Sequence, residues 1–558
     1  MDVKIHNDTV QVYAAGVGLL RLKAEIAKRI SGQVNSGKGY ISFPLTSLHM
    51  VSDLLPDTNS ISPEVIYHLD KYKLHDSARK KALNIMDGSD EYTLPEPWKS
   101  YLDPAQMPAS AAMTVPNLLG LCLFDEQGSG KTVMTIAAFD ILIESGDIDG
   151  MIVVCPKSMI SEWPKDIANF LPDKFNVVIA EGTRKEKYDT SFEKFDVLVS
   201  NYEGVEAMLV SLMASASNRR FLLVVDESYY LKNSESLRSE HTTSLRSKCK
   251  RCFVLCGTPA PNTAHDLLNQ FDLADLGFTF GGFKKSKDPQ SDWDKIASLT
   301  NTRGLFIRRL KSEILSHVPE KNFHVMEINL MGKQKLIYET ARSELELELK
   351  NLNNETFKKK LATYFQKRAA LLQICSCPSA VDPTFSEVPA KYQALDELLE
   401  TLISQNRKVI IWSFYKRSID EIEDRYKKYN PVRVDGSVST DLRREAVRSF
   451  QEDSKTMLFI GNPAAAGAGI TLHSSFDAVY ISYSNQAAHY LQSLDRIHRR
   501  GQVSNEVNYY LLICKGTIEE TEVIKLRGKE IRQHDLLGDR IQWPSSLDEA
   551  LKELKSNE

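Results

Sequence analysis

No stretch of this chain holds the roughly 18–20 consecutive apolar residues that a bilayer span needs. The segment MDVKIHNDTV also lacks the pattern of a secretory leader, so no membrane partner is expected. Cysteine is sparse, with eight residues in 558, at 122, 155, 249, 252, 256, 375, 377 and 514. Cys249 and Cys252 make one C-x-x-C, but no second pair follows at zinc-finger spacing, and Cys375 and Cys377 stand too close together to supply it. Two of the eight fall in apolar runs, as buried reduced thiols do in a cytosolic or nuclear chain. An excess of one charge is missing too: 70 Lys and Arg against 74 Asp and Glu leave a net charge of −4. Bulk charge therefore gives no global sign of a nucleic-acid binder, although contacts confined to one cleft would not show in it. Hydrophobic content of 42% and charged content of 26% suit a chain of several cores.

Against this background three strings stand out. Residues 125–132 read DEQGSGKT, after the apolar run LLGLCLF (118–124) and before TVMTIAAFDILIES (132–145). A buried parallel strand, a glycine-rich loop and a helix in that order make a phosphate cradle, because loop glycines admit phosphate close to the backbone and the helix start offers free N–H groups. Gly128, Ser129 and Gly130 supply the loop, Lys131 reaches the β- and γ-phosphates, and the Thr132 hydroxyl ligates magnesium. Asp125 stands where the usual first glycine would be, so the strict pattern is broken. The second string, VVDES (224–228), ends another apolar run. Asp226 is the candidate for holding magnesium, and Glu227 for orienting or deprotonating an attacking water. Read alone, Asp-Glu-Ser is equally a helix cap. The third string, QSLDRIHRRGQ (492–502), places Arg496 and Arg499 three apart on one helical face. Arginines of this kind stabilise charge on a transferred phosphoryl group, whereas most basic runs are solvated patches. A second alternation of strands and helices just upstream, KVIIWSF (408–414), TMLFIG (456–461) and DAVYIS (477–482), favours the first reading. Together the strings predict an ATP- and magnesium-dependent enzyme.

This arrangement resembles the Swi/Snf (Snf-two) family within helicase superfamily two. The likeness covers about residues 96–530 and rests also on VVCPKSMISEWPKDIANF (153–170), DVLVSNYEGV (196–205), DESYYLKNSES (226–236), CGTPAPN (256–262), LFIRRLKSEILSHVPEK (305–321), VRVDGSVSTDLRREAVRSFQ (432–451), AGAGITL (466–472) and GTIEE (516–520). LDPAQ (102–106) is similar to the family's glutamine motif, which makes Gln106 the candidate for the adenine edge. There are departures. Tyr229 replaces a usual histidine, Pro261 a usual glutamine, and Ala466-Gly467 a glycine pair, while YSNQA (483–487) replaces an aromatic-rich segment.

The resemblance implies an α/β fold with two tandem RecA-like doubly wound parallel-sheet domains and helical protrusions; residues 1–95, outside its span, read as a small N-terminal α+β domain from their own alternation and helical spacing. The expected division is 1–95 as an accessory or recognition domain and candidate protein-binding surface, and 96–328 as the first ATPase domain. A helical protrusion and linker follow at 329–390, the second RecA-like, helicase C-terminal domain at 391–535, and a tail at 536–558. By motif position, backbone contacts to nucleic acid are expected from Pro156, Lys157, Ser158, Asn201, Tyr202, Ser413, Arg433 and Gly436. The implied activity is ATP-driven translocation on double-stranded or branched DNA without strand separation, displacing or remodelling what is bound there. The location implied is the cytoplasm or nucleoid for a prokaryotic or viral source, and the nucleus for a eukaryotic one. Two alternatives differ in class: a strand-separating DNA or RNA helicase, and an ATP-gated interaction module.

Overall fold

The computed structural model describes residues 2–532 apart from 8, 15–16, 31–33, 56–59, 261–262, 282, 315–318, 466–469, 471, 484–486 and 499–501. Of the sequence expectations, Arg499, Pro261, Ala466-Gly467, most of YSNQA and the tail 536–558 lie outside the described residues. The chain divides into two compact units, 1–315 and 316–558.

The first unit carries two sheets. Near the N-terminus, β1 (Asp2–His6), β2 (Thr9–Tyr13), β3 (Asn35–Gly37) and β4 (Tyr40–Pro44) form an antiparallel sheet in the order β1-β2-β4-β3. β1 pairs with β2 as a hairpin, and Asn7 takes a left-handed φ of 45° at the turn. β3 pairs antiparallel with β4 across the turn that joins them. A 25-residue helix, Pro63–Asp87, follows, with Pro at its first turn and Gly88 at its C-cap. Its Val65 packs in the core of the small sheet, while Ala78, Ala82 and Ile85 pack in the core of the large one. One helix thus serves two cores.

The large sheet is parallel throughout. Its strands are β5 (Gly120–Leu123), β6 (Gly150–Cys155), β7 (Val177–Ala180), β8 (Val197–Asn201), β9 (Phe221–Asp226), β10 (Arg251–Leu255) and β11 (Phe306–Ile307), ordered β11-β5-β10-β9-β6-β8-β7. Every residue of β5, β6, β8, β9 and β10 is buried, as expected of strands covered on both faces by helices. The motifs read from sequence sit at the carboxyl ends of β5, β6, β8, β9 and β10, which is where open parallel sheets bind ligands.

The second unit holds a six-stranded parallel sheet of β12 (Glu320–Ile328), β13 (Val409–Trp412), β14 (Val432–Val434), β15 (Leu458–Gly461), β16 (Asp477–Tyr480) and β17 (Glu506–Cys514), ordered β12-β17-β16-β13-β15-β14. β12 pairs with β17 along its whole length, so residues 320–328 belong to this sheet and not to the first, in which the expected span 96–328 would have put them. Within the span 329–390, expected as a helical protrusion and linker, the stretch 332–376 forms three helices, Gly332–Lys350, Asn354–Lys359 and Leu361–Ser376. They pack against Cys514 and Ile518.

Candidate active site

The loop between β5 and the helix Lys131–Glu144 is shaped by two left-handed glycines, Gly128 at φ 83° and Gly130 at φ 86°. Any larger residue at 130 would be strained, and its Cβ would lie 2.3 Å from Gln106 Nε2. Gly130 caps the helix without a side-chain hydrogen bond, so the first-turn N–H groups have no side-chain acceptor there. Lys131 Nζ reaches back over the loop and donates to the carbonyls of Asp125 (2.8 Å) and Glu126 (3.1 Å). The Ser129 hydroxyl oxygen is fully buried with no hydrogen-bond partner. Gln106 braces this loop: its Nε2 donates to the Ser129 carbonyl (2.9 Å), and its Oε1 accepts from the Asp103 N–H (3.0 Å). Both ends of the amide are therefore engaged with backbone.

Asp226 ends β9. Its Oδ2 accepts the Trp163 indole N–H at 3.0 Å and its Oδ1 the backbone N–H of Glu227 at 2.9 Å. Burial pushes its pKa up, against the pull of the Trp163 hydrogen bond and the Lys131 charge. Glu227 lies in the left-handed region at φ 51° and ψ 52°, and its Oε1 accepts from Gln127 Nε2 at 3.0 Å. Gln127 belongs to the glycine-rich loop before Lys131, so the two motifs are joined by a side-chain hydrogen bond. The Asp226 carboxylate and the Thr132 hydroxyl in the first turn of the helix are hard oxygen donors of the kind magnesium takes. Backbone N–H groups, a lysine and an unpartnered buried hydroxyl suit phosphate oxygens. The residues thus fit a magnesium nucleotide.

The DES segment also reaches the end of β10. Ser228 Oγ donates to Gln270 Oε1 (2.5 Å), and Gln270 Nε2 donates to the Pro259 carbonyl (2.6 Å). Gly257 lies so close to the loop that a Cβ there would meet Gln127 Cγ at 2.5 Å. Tyr229, buried, packs on Tyr230 with centroids 4.5 Å apart. Sequence reasoning did not single out Trp163, Gln127 or Gln270, although Trp163 lies inside the run 153–170 and Gln127 inside 125–132. No local pattern marks them, since each acts on a residue 42 to 100 positions away.

The remaining candidates are distributed differently. Lys157 is exposed and Ser158 half-buried, next to buried Pro156 at the end of β6. Asn201 is held by Lys187 (2.9 Å) and Glu203 (2.7 Å). Tyr202 is turned inward, its hydroxyl donating to the Asp226 carbonyl. In the second unit Ser413 is buried against Ser482 (3.1 Å), Arg433 pairs with Asp420, Glu423 and Asp435, and Gly436 is exposed. Arg496 is buried and donates to the Ile470 carbonyl at 3.1 Å. The metal-compatible cluster found among the described residues, Cys375, Cys514 and Glu519, is buried, and Lys391 already pairs with its carboxylate at 2.6 Å. All eight cysteines are buried and free.

The model of the SNF2-related domain matches residues 64–380, and that of the helicase conserved C-terminal domain matches 390–501. A CHD3-type chromatin-remodeling factor, CHR7, of Arabidopsis thaliana is 29% identical over 460 residues, covering 77% of this chain and 37% of the relative. The ISWI chromatin-remodeling complex ATPase ISW1 of Saccharomyces cerevisiae is 29% identical over 451 residues, covering 75% of this chain and 39% of that one. The chain thus spans less than half the length of these curated relatives. Among solved structures, the Sulfolobus solfataricus SWI2/SNF2 ATPase core in complex with dsDNA is 22% identical, with a TM-score of 0.36, over 83% of this chain and 99% of that one.

Proposed function

Because the chain belongs to the SNF2-related family, we propose that it hydrolyses ATP with magnesium and uses the energy to move along double-stranded or branched DNA without separating the strands, displacing or remodelling what is bound there. The observation that carries this reading is the hydrogen bond from Gln127 of the phosphate loop to Glu227, beside Asp226 and Lys131. It puts the carboxylate suited to a water-activating role under direct control of the loop suited to the phosphates.

In this reading Lys131 and the N–H groups at the start of the helix Lys131–Glu144 bind the phosphates. Thr132 and Asp226 hold magnesium, which when bound neutralises phosphate charge and so favours attack on the γ-phosphorus. Trp163 fixes the orientation of Asp226. Glu227 orients the attacking water and takes its proton, and Gln127 aims the carboxylate. Gln106 holds the loop from the adenine side. Arg496 and Arg499 stabilise charge on the transferred phosphoryl group. The route Ser228–Gln270–Pro259 links the hydrolytic carboxylates to the segment after β10, and so offers a coupling path that does not need the histidine replaced by Tyr229. For DNA, we propose backbone contacts through Pro156, Lys157 and Ser158, Asn201 and Tyr202, and Ser413, Arg433 and Gly436. Lys157 and Gly436 are the most accessible of them. Such contacts position the protein without reading sequence.

The test is the steady-state ATPase rate with no nucleic acid, duplex DNA, single-stranded DNA, branched DNA and RNA, each across a salt series. Stimulation by duplex or branched DNA that falls steeply with salt is expected. A rate indifferent to all five conditions would remove the translocase reading. Strand release from a tailed duplex would replace it with that of a helicase.

A further inference from the structure

Asp125 presents a difficulty for any nucleotide site built on this loop. It stands where such a loop normally opens with glycine, it is fully buried, and a bare carboxylate there would oppose both its own burial and the approach of phosphate. The chain answers from 184 residues away. The Arg309 backbone N–H donates to Asp125 Oδ1 at 2.8 Å, its Nε donates to the same oxygen at 3.2 Å, and its Nη2 pairs with Oδ2. The same guanidinium donates to the carbonyl of Ala105, the neighbour of Gln106, and Nη2 approaches Met134 Sδ at 3.5 Å on the helix after the loop. Adjacent residues extend the grip. β11 pairs in parallel with β5, and the Phe124 N–H donates to the Ile307 carbonyl at 2.7 Å. Arg308 Nη1 donates to the Phe124 carbonyl at 2.8 Å, the Glu126 N–H to the Arg309 carbonyl at 3.2 Å, and the Lys311 N–H to Glu126 Oε2 at 2.8 Å.

We propose that Arg309 is a positioning residue for nucleotide. By neutralising Asp125 and tying Ala105, Asp125 and Met134 to one guanidinium, it holds the adenine-side segment, the phosphate loop and the following helix in a single register. The proposal rests on the reading of residues 125–132 as a phosphate cradle. It uses what only arginine offers, a planar fork that can serve a carboxylate and a carbonyl together.

The experiment titrates a fluorescent ADP analogue with magnesium into the full chain, alongside thermal melts and ATPase kinetics. Arg309→Gln leaves Asp125 buried without its charge partner, and should weaken ADP binding at least tenfold. The KM for ATP should rise by more than kcat falls. Arg309→Lys keeps the charge but loses the fork, and should fall between this variant and the parent. The double variant Asp125→Asn with Arg309→Gln should regain part of the affinity, since no unpaired charge remains. If Arg309→Gln does not fold, Arg309→Lys and Asp125→Asn carry the test. Folded variants with unchanged ADP affinity and KM, even with a lowered melting temperature, would make the pair a structural brace and overturn the proposal. Failure of the parent chain to bind ADP would instead sink the cradle reading on which it rests.

Discussion

At the residue scale the site turns on how Glu227 is held. A non-glycine residue in the left-handed region costs on the order of 1–3 kcal/mol and persists where its surroundings over-determine it. Here the Asp226 carboxylate receives the Glu227 N–H and Gln127 donates to the Glu227 side chain, so the conformation is held at both ends. Glu227→Gln keeps an acceptor for Gln127 and nearly the same volume, but it cannot take a proton. We expect turnover to fall by about 10²–10⁴ with nucleotide affinity and melting temperature unchanged; a loss below threefold would remove Glu227 from the chemistry. Gly130→Ala should act on the other variable. The left-handed φ and the 2.3 Å approach to Gln106 Nε2 leave no room for a methyl group, so nucleotide binding should be lost in a chain that still folds. Binding within twofold of the parent would show that the loop tolerates a different shape. Lys131, Asp226 and Glu227 were legible from sequence as candidates, because the string that holds each comes shortly after an apolar strand run and makes a local pattern. Trp163, Gln127 and Arg309 were not, because what makes them matter is a partner distant in the chain and near only across the sheet.

At the element scale the strands were readable for a simple reason: a parallel strand covered on both faces shows as a continuous apolar run, as in FLLVV and KVIIW. The break of 332–374 into three helices was less visible, although Asn351, Asn353 and Asn354 marked it. Asn353 caps the second helix by accepting the Thr356 N–H at 2.8 Å. What fastens the last of these helices, and the helix Ala390–Ser404 that follows, to the rest of the second unit lies beyond any periodicity. Arg368 pairs with Glu522, and Lys391 with Glu519, in both cases through buried side chains on or beside the helix Ile518–Arg532. Lys391 also donates to the Ile481 carbonyl at 2.6 Å, and Glu519 accepts the Cys514 N–H at 2.8 Å. Burial drives the Glu519 pKa up, and Lys391 opposes it. Removing one partner of such a pair costs about 3–5 kcal/mol, because the other charge is left in the interior. Lys391→Met should destabilise the chain by that order, and Lys391→Met with Glu519→Gln should recover much of it. Equal urea midpoints for the single and double variants would show that the charge is not what matters at this position.

At the scale of the whole molecule, the segment after the N-terminal sheet, the helix Pro63–Asp87 and the turn after Leu276 meet around one aromatic ring. Phe278 stacks on His49 with centroids 4.6 Å apart and meets the edge of His75 at 5.0 Å, with Tyr72 beside it donating to the Leu276 carbonyl at 3.1 Å. Burial lowers the His49 pKa to about 4, with the Arg303 charge adding to the effect and Asp76 opposing it. Burial likewise lowers that of His75 to about 3, helped by Arg79 and Arg246 and opposed by Asp76. Both rings are therefore neutral in the fold, and His75 Nδ1 accepts the Leu119 N–H at 3.2 Å. An unfolded histidine protonates near pH 6.5. The stability these two contribute is thus complete above that pH, and it is lost as pH falls from 6.5 through 4 towards 3, at about 1.4 kcal/mol per pH unit for each ring. We expect the urea midpoint of the first unit to drop over this window. His49→Phe, which keeps the stack on Phe278 but cannot protonate, should remove about half of the slope. His75→Phe is the poorer choice, since it would strand the Leu119 N–H. A midpoint whose pH dependence is unaltered by His49→Phe would mean that these segments are joined by packing alone, with no proton linkage through this ring.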